Sequence, residues 1–171
     1  MDQLTGLETR ADLLELINGS DAETLLSVVL YDIDSFSGIN HTFGYKYGDW
    51  ILTRLGDLFR EHQRQYRGRV FRWAGDEFLH ILFEKNLTKV TETTTQFIHS
   101  LENQNIPYAH PLSSRKFLTV SAAIFSDFPL HSETYLKNIN HAYEAIWKAK
   151  EPYGVFYKHG FEKHSQVVII S

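Results

Sequence analysis

Two short acidic stretches carry the chemistry legible in this chain, Tyr31-Asp32-Ile33-Asp34 and Ala74-Gly75-Asp76-Glu77. The first closes an apolar, β-branched run, Leu26 to Ile33, that reads as a buried strand. Strand alternation sends Asp32 and Asp34 to one face and Ile33 to the other. Two acids at the end of a buried strand suit a hard divalent cation held by oxygen ligands. An aspartate at position 34 equally suits the cap of a following helix. An EF-hand loop is excluded, because the glycine it needs five positions after Asp32 is Ser37.

The second stretch joins two further apolar runs, Arg69 to Ala74 and Phe78 to Phe83, and Gly75 suits the first central position of a primed hairpin turn. With the first strand central and this hairpin beside it, Asp76 and Glu77 come near Asp32. Three carboxylates brought together repel one another unless cations neutralise them. Beside a phosphate substrate such a cluster suggests two-metal catalysis; Gly-Asp-Glu also reads as a solvated hairpin tip. Asn40 and Asp49 form an amide–carboxylate pair that can read a purine edge, since aspartate accepts from the N–H donors guanine presents. Asp49 serves equally as the N-cap of a helix beginning at Trp50. Lys150 reads as a helix C-terminal dipole partner or as a point charge for phosphate. The nine histidines show no metal-ligand spacing and no Ser/His/Asp set is legible.

The elements that must position these residues follow from periodicity. Helical spacing covers Arg10 to Ile17, Asp49 to Phe59, Thr88 to Gln104 and a segment from Ser132 to Pro152. Strands are expected at Leu26–Ile33, in the hairpin, at Phe117–Phe125 and at Gly154–Lys158. The tail Gln166 to Ile170 reads as an edge strand or a partner contact. The order is β-α-α-β-β-α-β-α-β, with a hairpin flanked by helices. It implies an α+β domain with a mainly antiparallel sheet of about five strands and helices packed on it.

A chain of 171 residues fits one domain. It has no cysteine, which removes disulfides and thiolate metal sites and permits a reducing cytosol. No apolar run approaches the ~20 residues that span a bilayer. A net charge of −4 argues against a nucleic-acid backbone as partner, and so against a polymerase acting on one. A polyanionic substrate fits only if metal ions supply positive charge.

Taken together and in order, Asp2-x-Leu4-Thr5-Gly6-Leu7, Asp32-x-Asp34-x-Phe36-x-x-x-Asn40-x-x-x-Gly44-x-x-x-Gly48-Asp49 and Arg72-x-Ala74-Gly75-Asp76-Glu77-Phe78 resemble the GGDEF domain of bacterial diguanylate cyclases. Leu118-Thr119-Val120-Ser121 and Ala145-Ile146-Trp147-Lys148-Ala149-Lys150 look like that family's later elements, so the resemblance covers nearly the whole chain. It implies a nucleotidyl-cyclase or polymerase-palm fold, ferredoxin-like, with the signature on a β-hairpin. It also implies the joining of two GTP molecules, one per subunit of a dimer, into cyclic di-GMP with release of pyrophosphate.

By resemblance, Asp32, Asp76 and the Ile33 carbonyl ligate Mg²⁺ (or Mn²⁺), two ions per active site, and Glu77 sits beside the reacting hydroxyl or the metals. Asn40 and Asp49 read guanine, Phe36, Ala74 and Gly75 border the nucleotide, and Lys150 touches phosphate. The family further implies a preceding sensory or dimerising segment, a cytoplasmic location (as the cytoplasmic module of a membrane-attached sensor in some arrangements), and no membrane or nucleic-acid contact by the domain itself.

Four departures stand out. Ala74 replaces the first signature glycine, which is expected to weaken activity rather than abolish it. Ser37 stands where a phosphate-facing lysine is common. Tyr153-Gly154-Val155 offers no arginine. Arg64-Gln65-Tyr66-Arg67-Gly68-Arg69 lacks the Arg-x-x-Asp of the inhibitory product site. The alternative function is a degenerate GGDEF module that binds GTP or a protein partner without catalysis.

Overall fold

The β-branched run after Leu25 becomes the middle of a six-stranded sheet ordered β1-β3-β4-β2-β5-β6. These are β1 (Glu8–Thr9), β2 (Leu25–Ile33), β3 (Gly68–Ala74), β4 (Glu77–Leu82), β5 (Val120–Pro129) and β6 (Val167–Ile170). The computed structural model describes residues 1–21, 25–108, 116–129, 134–150 and 163–170. β2 lies antiparallel between β4 and β5, β3 and β4 form the hairpin, and only the edge strands β1 and β6 pair in parallel.

Among the described residues five helices cover the two faces: α1 (Arg10–Asn18), α2 (Phe36–Phe43), α3 (Tyr45–Gln65), α4 (Leu87–Glu102) and α5 (Tyr135–Lys150). Alternation along β2 sorts the core between them. Val29, Tyr31 and Ile33 pack with Leu55 and Phe59 of α3 and Phe97 and Leu101 of α4. Val28 and Leu30 pack with Leu13 of α1 and Ile139, Tyr143 and Ile146 of α5. The Phe59 and Phe97 rings stack with centroids 4.2 Å apart. Each such buried side chain contributes roughly 1.5–3 kcal/mol by removal from water. Helix α1 starts with a capping box in which Thr9 and Asp12 satisfy each other's end groups.

The expected α+β architecture is present, with two local differences. The segment Phe36 to Gly48, which its glycines mark as punctuated and which periodicity left without an element, is itself helical: α2 ends at Gly44, whose φ of +86° breaks the chain before α3 begins at Tyr45. Asp49 therefore lies inside α3 and does not cap it. The tail is an edge strand, β6, paired with β5 from Val167 to Ile170. The strand expected at Gly154–Lys158 and the helix start at Ser132 lie outside the described residues.

The α3–hairpin contact buries two histidines whose ring centroids are 5.3 Å apart. Burial pushes His62 down to about 4 and, with His62 as neighbour, His80 down to about 3. Both folded values lie below the unfolded one, so the unfolded chain takes up protons first as pH falls. Stability held above pH ~6.5 is then lost on acidification towards pH ~4. His62 alone accounts for roughly 3 kcal/mol of it, since each tenfold drop in proton affinity is worth ~1.4 kcal/mol. Urea unfolding at a series of pH values checks this, and His80→Leu is expected to flatten the slope.

Candidate active site

Register does most of the positioning. Asp32, the last β2 residue to pair with β4, stands directly opposite Glu77, the first residue of β4. Gly75, at φ +38°, turns the hairpin in the left-handed region that favours glycine, and the Ile33 N–H donates to the Asp76 carbonyl at 3.4 Å. The hairpin tip is thereby held against the end of β2. Asp32, Asp76 and Glu77 converge as expected from sequence. All three carboxyls are pushed above the ordinary range, in each case mainly by burial. Asp76 reaches about 7, with the charge of Asp32 adding to burial. The effect on Asp32 is opposed by Lys150.

Lys150 is buried at the end of α5, with only 2 % of its side chain exposed. Its ammonium donates to Asp32 at 2.5 Å and lies 2.9 Å from Asp34. Burial works against its charge, but Asp34 and Asp32 outweigh that and raise its pKa. Neither sequence reading of Lys150, dipole partner or phosphate contact, anticipates this ion pair.

Asp34 is not a helix cap either. The N-cap of α2 is Ser35, which makes no side-chain capping bond. The Asp34 carboxylate accepts from Thr119 Oγ1 at 2.7 Å, Ser121 Oγ at 2.8 Å and the Ser165 N–H at 2.9 Å. These bonds tie β2, the strand region around β5 and the lead-in to β6 to one buried anion.

Asn40 and Gly48 form the second cluster. The Asn40 Oδ1 is buried with no hydrogen-bond partner among the described residues. A Cβ on Gly48 would lie 1.9 Å from that oxygen and 3.3 Å from the Phe36 ring, so the glycine makes the space the amide occupies. Asp49 follows on the exposed side of α3, and Ala74 and Gly75 are exposed at the hairpin tip.

Arg72 is a further contributor that sequence reasoning quoted but gave no role. Its guanidinium donates to both Asp2 carboxylate oxygens at 3.1 Å and to the Gly75 carbonyl at 2.9 and 3.0 Å. It thus links the N-terminal turn to the signature turn. The signal available in sequence was the pairing of an acid at position 2 with an arginine just before the turn.

Among the described residues no helix is long and apolar enough to cross a membrane. The family model "Diguanylate cyclase, GGDEF domain" matches residues 1–153. Diguanylate cyclase DosC of Escherichia coli (strain K12) is 32% identical over 155 residues, covering 88% of this chain and 33% of that protein. Diguanylate cyclase DgcZ of the same organism is 31% identical over 132 residues, covering 75% of this chain and 43% of that protein. The chain thus spans about a third of DosC's length and under half of DgcZ's.

Among solved structures, diguanylate cyclase SiaD of Pseudomonas aeruginosa, in complex with its activator SiaC, superposes with a TM-score of 0.73 at 22% identity, over 99% of this chain and 61% of that one. The GGDEF domain of DgcB from Caulobacter crescentus, in complex with c-di-GMP, gives a TM-score of 0.73 at 20% identity, over 99% and 94%. These two likenesses concern the fold. With the family match running through the acidic hairpin and the Asp32 strand that faces it, the chain belongs to the diguanylate cyclase GGDEF domain family.

Proposed function

We propose that the chain condenses two GTP molecules into cyclic di-GMP and two pyrophosphates, each subunit of a homodimer presenting one GTP. The observation that carries this reading is the pairing of Asp32 with Glu77, with Asp76 held beside them at the tip. The donors fit Mg²⁺ or Mn²⁺. Among the described residues no three His, Cys, Asp or Glu side chains form a metal cage. Mg²⁺ needs none, because it takes one or two carboxylates and completes its shell with water and substrate phosphates. Asp32, Asp76 and the Ile33 carbonyl would hold it, and two carboxyls disfavoured as anions by burial gain from a cation.

When bound, two such ions polarise the attacking 3′-hydroxyl and offset charge on the triphosphate. Glu77 stands beside that hydroxyl as proton acceptor or as a holder of the metal shell. Asn40 and Asp49 orient guanine, and Phe36, Ala74 and Gly75 border the nucleotide. Lys150 meets the phosphate by exchanging Asp32 for it. The site works in a domain on the cytoplasmic side, joined in the whole protein to a sensory or dimerising segment.

Gly48→Ala is expected to turn the Asn40 amide and weaken GTP binding about tenfold, the worth of one well-placed hydrogen bond, with little change in Tm. Titration calorimetry with a non-hydrolysable GTP analogue checks this.

A second reading, a module that binds GTP without turning it over, is favoured by the Lys150–Asp32 contact, which already supplies Asp32 with a cation. Product formation from GTP and Mg²⁺, and its loss in Glu77→Gln, separates the two.

A further inference from the structure

Helix α5 presents a second polar group to the acidic cluster besides Lys150. Tyr143 lies seven residues earlier, two turns along the same helix face and about 10 Å up its axis. Its side chain packs in the α1/α5 core, yet its buried hydroxyl meets strict hydrogen-bond geometry with none of the described residues, Glu77 being the acceptor within range. Alternation fixes what it meets. Asp32 shares the face of Val28 and Leu30 on β2, and Glu77 that of Leu79 and Ile81 on β4. All four apolar residues belong to the core that α5 covers. Glu77 and Asp32 therefore point to the α5 side, where Lys150 already reaches Asp32.

The carboxylates of Glu77, Asp32 and Asp76 act on the phenol. Burial and then Glu77, followed by Asp32 and Asp76, favour the neutral, proton-bearing hydroxyl over the phenolate. A buried hydroxyl without a partner costs about 1–3 kcal/mol, and donation to an anion removes that cost.

We propose that Tyr143 is a positioning residue for Glu77, its hydroxyl donating to the Glu77 carboxylate and holding it toward Asp32 and Asp76. The catalytic consequence rests on the cyclase reading above, whereas the contact itself does not. The phenol touches no substrate. It restricts a half-buried glutamate to the rotamers that face the cluster. The sequence gives no warning, because a tyrosine on the inward stripe of a helix reads as core.

Tyr143→Phe removes one oxygen and keeps the ring, so packing alone predicts no change at Glu77. The test is two-fold. The side-chain carboxyl ¹³C resonance of Glu77, assigned by its loss in Glu77→Gln, is compared between wild type and Tyr143→Phe in protein free of nucleotide and metal. It is expected to shift, with Glu8 and Glu84 unmoved as controls. In steady-state assays kcat is expected to fall about tenfold, one hydrogen bond's worth, with KM for GTP within twofold and Tm not lowered.

An unmoved Glu77 resonance overturns the proposal whatever the turnover. Equal kcat in both proteins overturns its positioning role. A moved resonance in a protein that makes no product upholds the contact and removes the cyclase reading instead.

Discussion

Replacing Lys150 with methionine is expected to lower the unfolding free energy by about 3–5 kcal/mol at pH 8, the cost of breaking a buried ion pair from one side. The side chain is 2 % exposed and bridges Asp32 and Asp34, whose own exposures are 11 % and 0 %. Methionine fills much the same volume, so the loss measures charge rather than a cavity. The variant leaves Asp32, which burial already holds above the ordinary carboxylate range, without the cation that opposes that shift, so its folded pKa rises further. A group with a raised folded pKa gains relative stability as pH falls, so the deficit should shrink between pH 8 and pH 5. Millimolar Mg²⁺ should restore part of the loss, because the same oxygens suit a hard cation. Chemical denaturation across that pH range, with and without Mg²⁺, reads all three effects. A loss below ~1 kcal/mol would mean that Lys150 sits at the surface in solution.

That prediction also marks the limit of what the sequence discloses. The β2 run and the 68–82 hairpin were legible because β-branched and aromatic residues cluster between turn signals there. Convergence of Asp32 with Asp76 and Glu77 followed from placing those strands side by side. Helix α2 was hidden because Gly38 and Gly44 look like loop punctuation, and this in turn made Asp49 resemble a cap. The role of Asp34 could not be read locally. Its partners Thr119, Ser121 and Ser165 lie 85, 87 and 131 residues away, and each contact depends on how β2 and β5 pair. What Lys150 and Tyr143 meet was invisible for the same reason, since helical periodicity reports the buried stripe and not the partners of a polar group within it. The tail left two readings open, and only the parallel ladder with β5 decides for an edge strand.

Glu77→Gln is expected to reduce product formation by at least a hundredfold while GTP affinity stays within a few-fold. A positioned proton acceptor contributes about 10²–10⁴ in rate. Glutamine keeps the size of the side chain and one acceptor oxygen, and removes its basicity and charge. Glu77 stands across from Asp32 in the ladder, and the flanking backbone bond from Ile33 N–H to the Asp76 carbonyl is untouched by the substitution, so the hairpin should hold its register. Asp76→Asn should behave differently. It removes a carboxyl that burial and Asp32 hold up to about 7, and the metal-free protein should gain stability while activity falls. Thermal unfolding in chelator alongside turnover in Mg²⁺ separates the two variants. Equal turnover in Glu77→Gln and wild type would take Glu77 out of the reaction.

Ala74 stands exposed at the hairpin tip. Any cost it brings falls on the approaching nucleotide, so it should appear in KM and not in Tm. The central claim is that Asp32, Asp76 and Glu77 form a working GTP-condensing site. Its most direct test is incubation of the protein at high concentration with GTP and Mg²⁺, with the products separated by chromatography. The account predicts cyclic di-GMP and pyrophosphate in a ratio of one to two, abolished by Glu77→Gln. Saturated GTP binding with no cyclic di-GMP, even when two copies are tethered as a dimer, would contradict it.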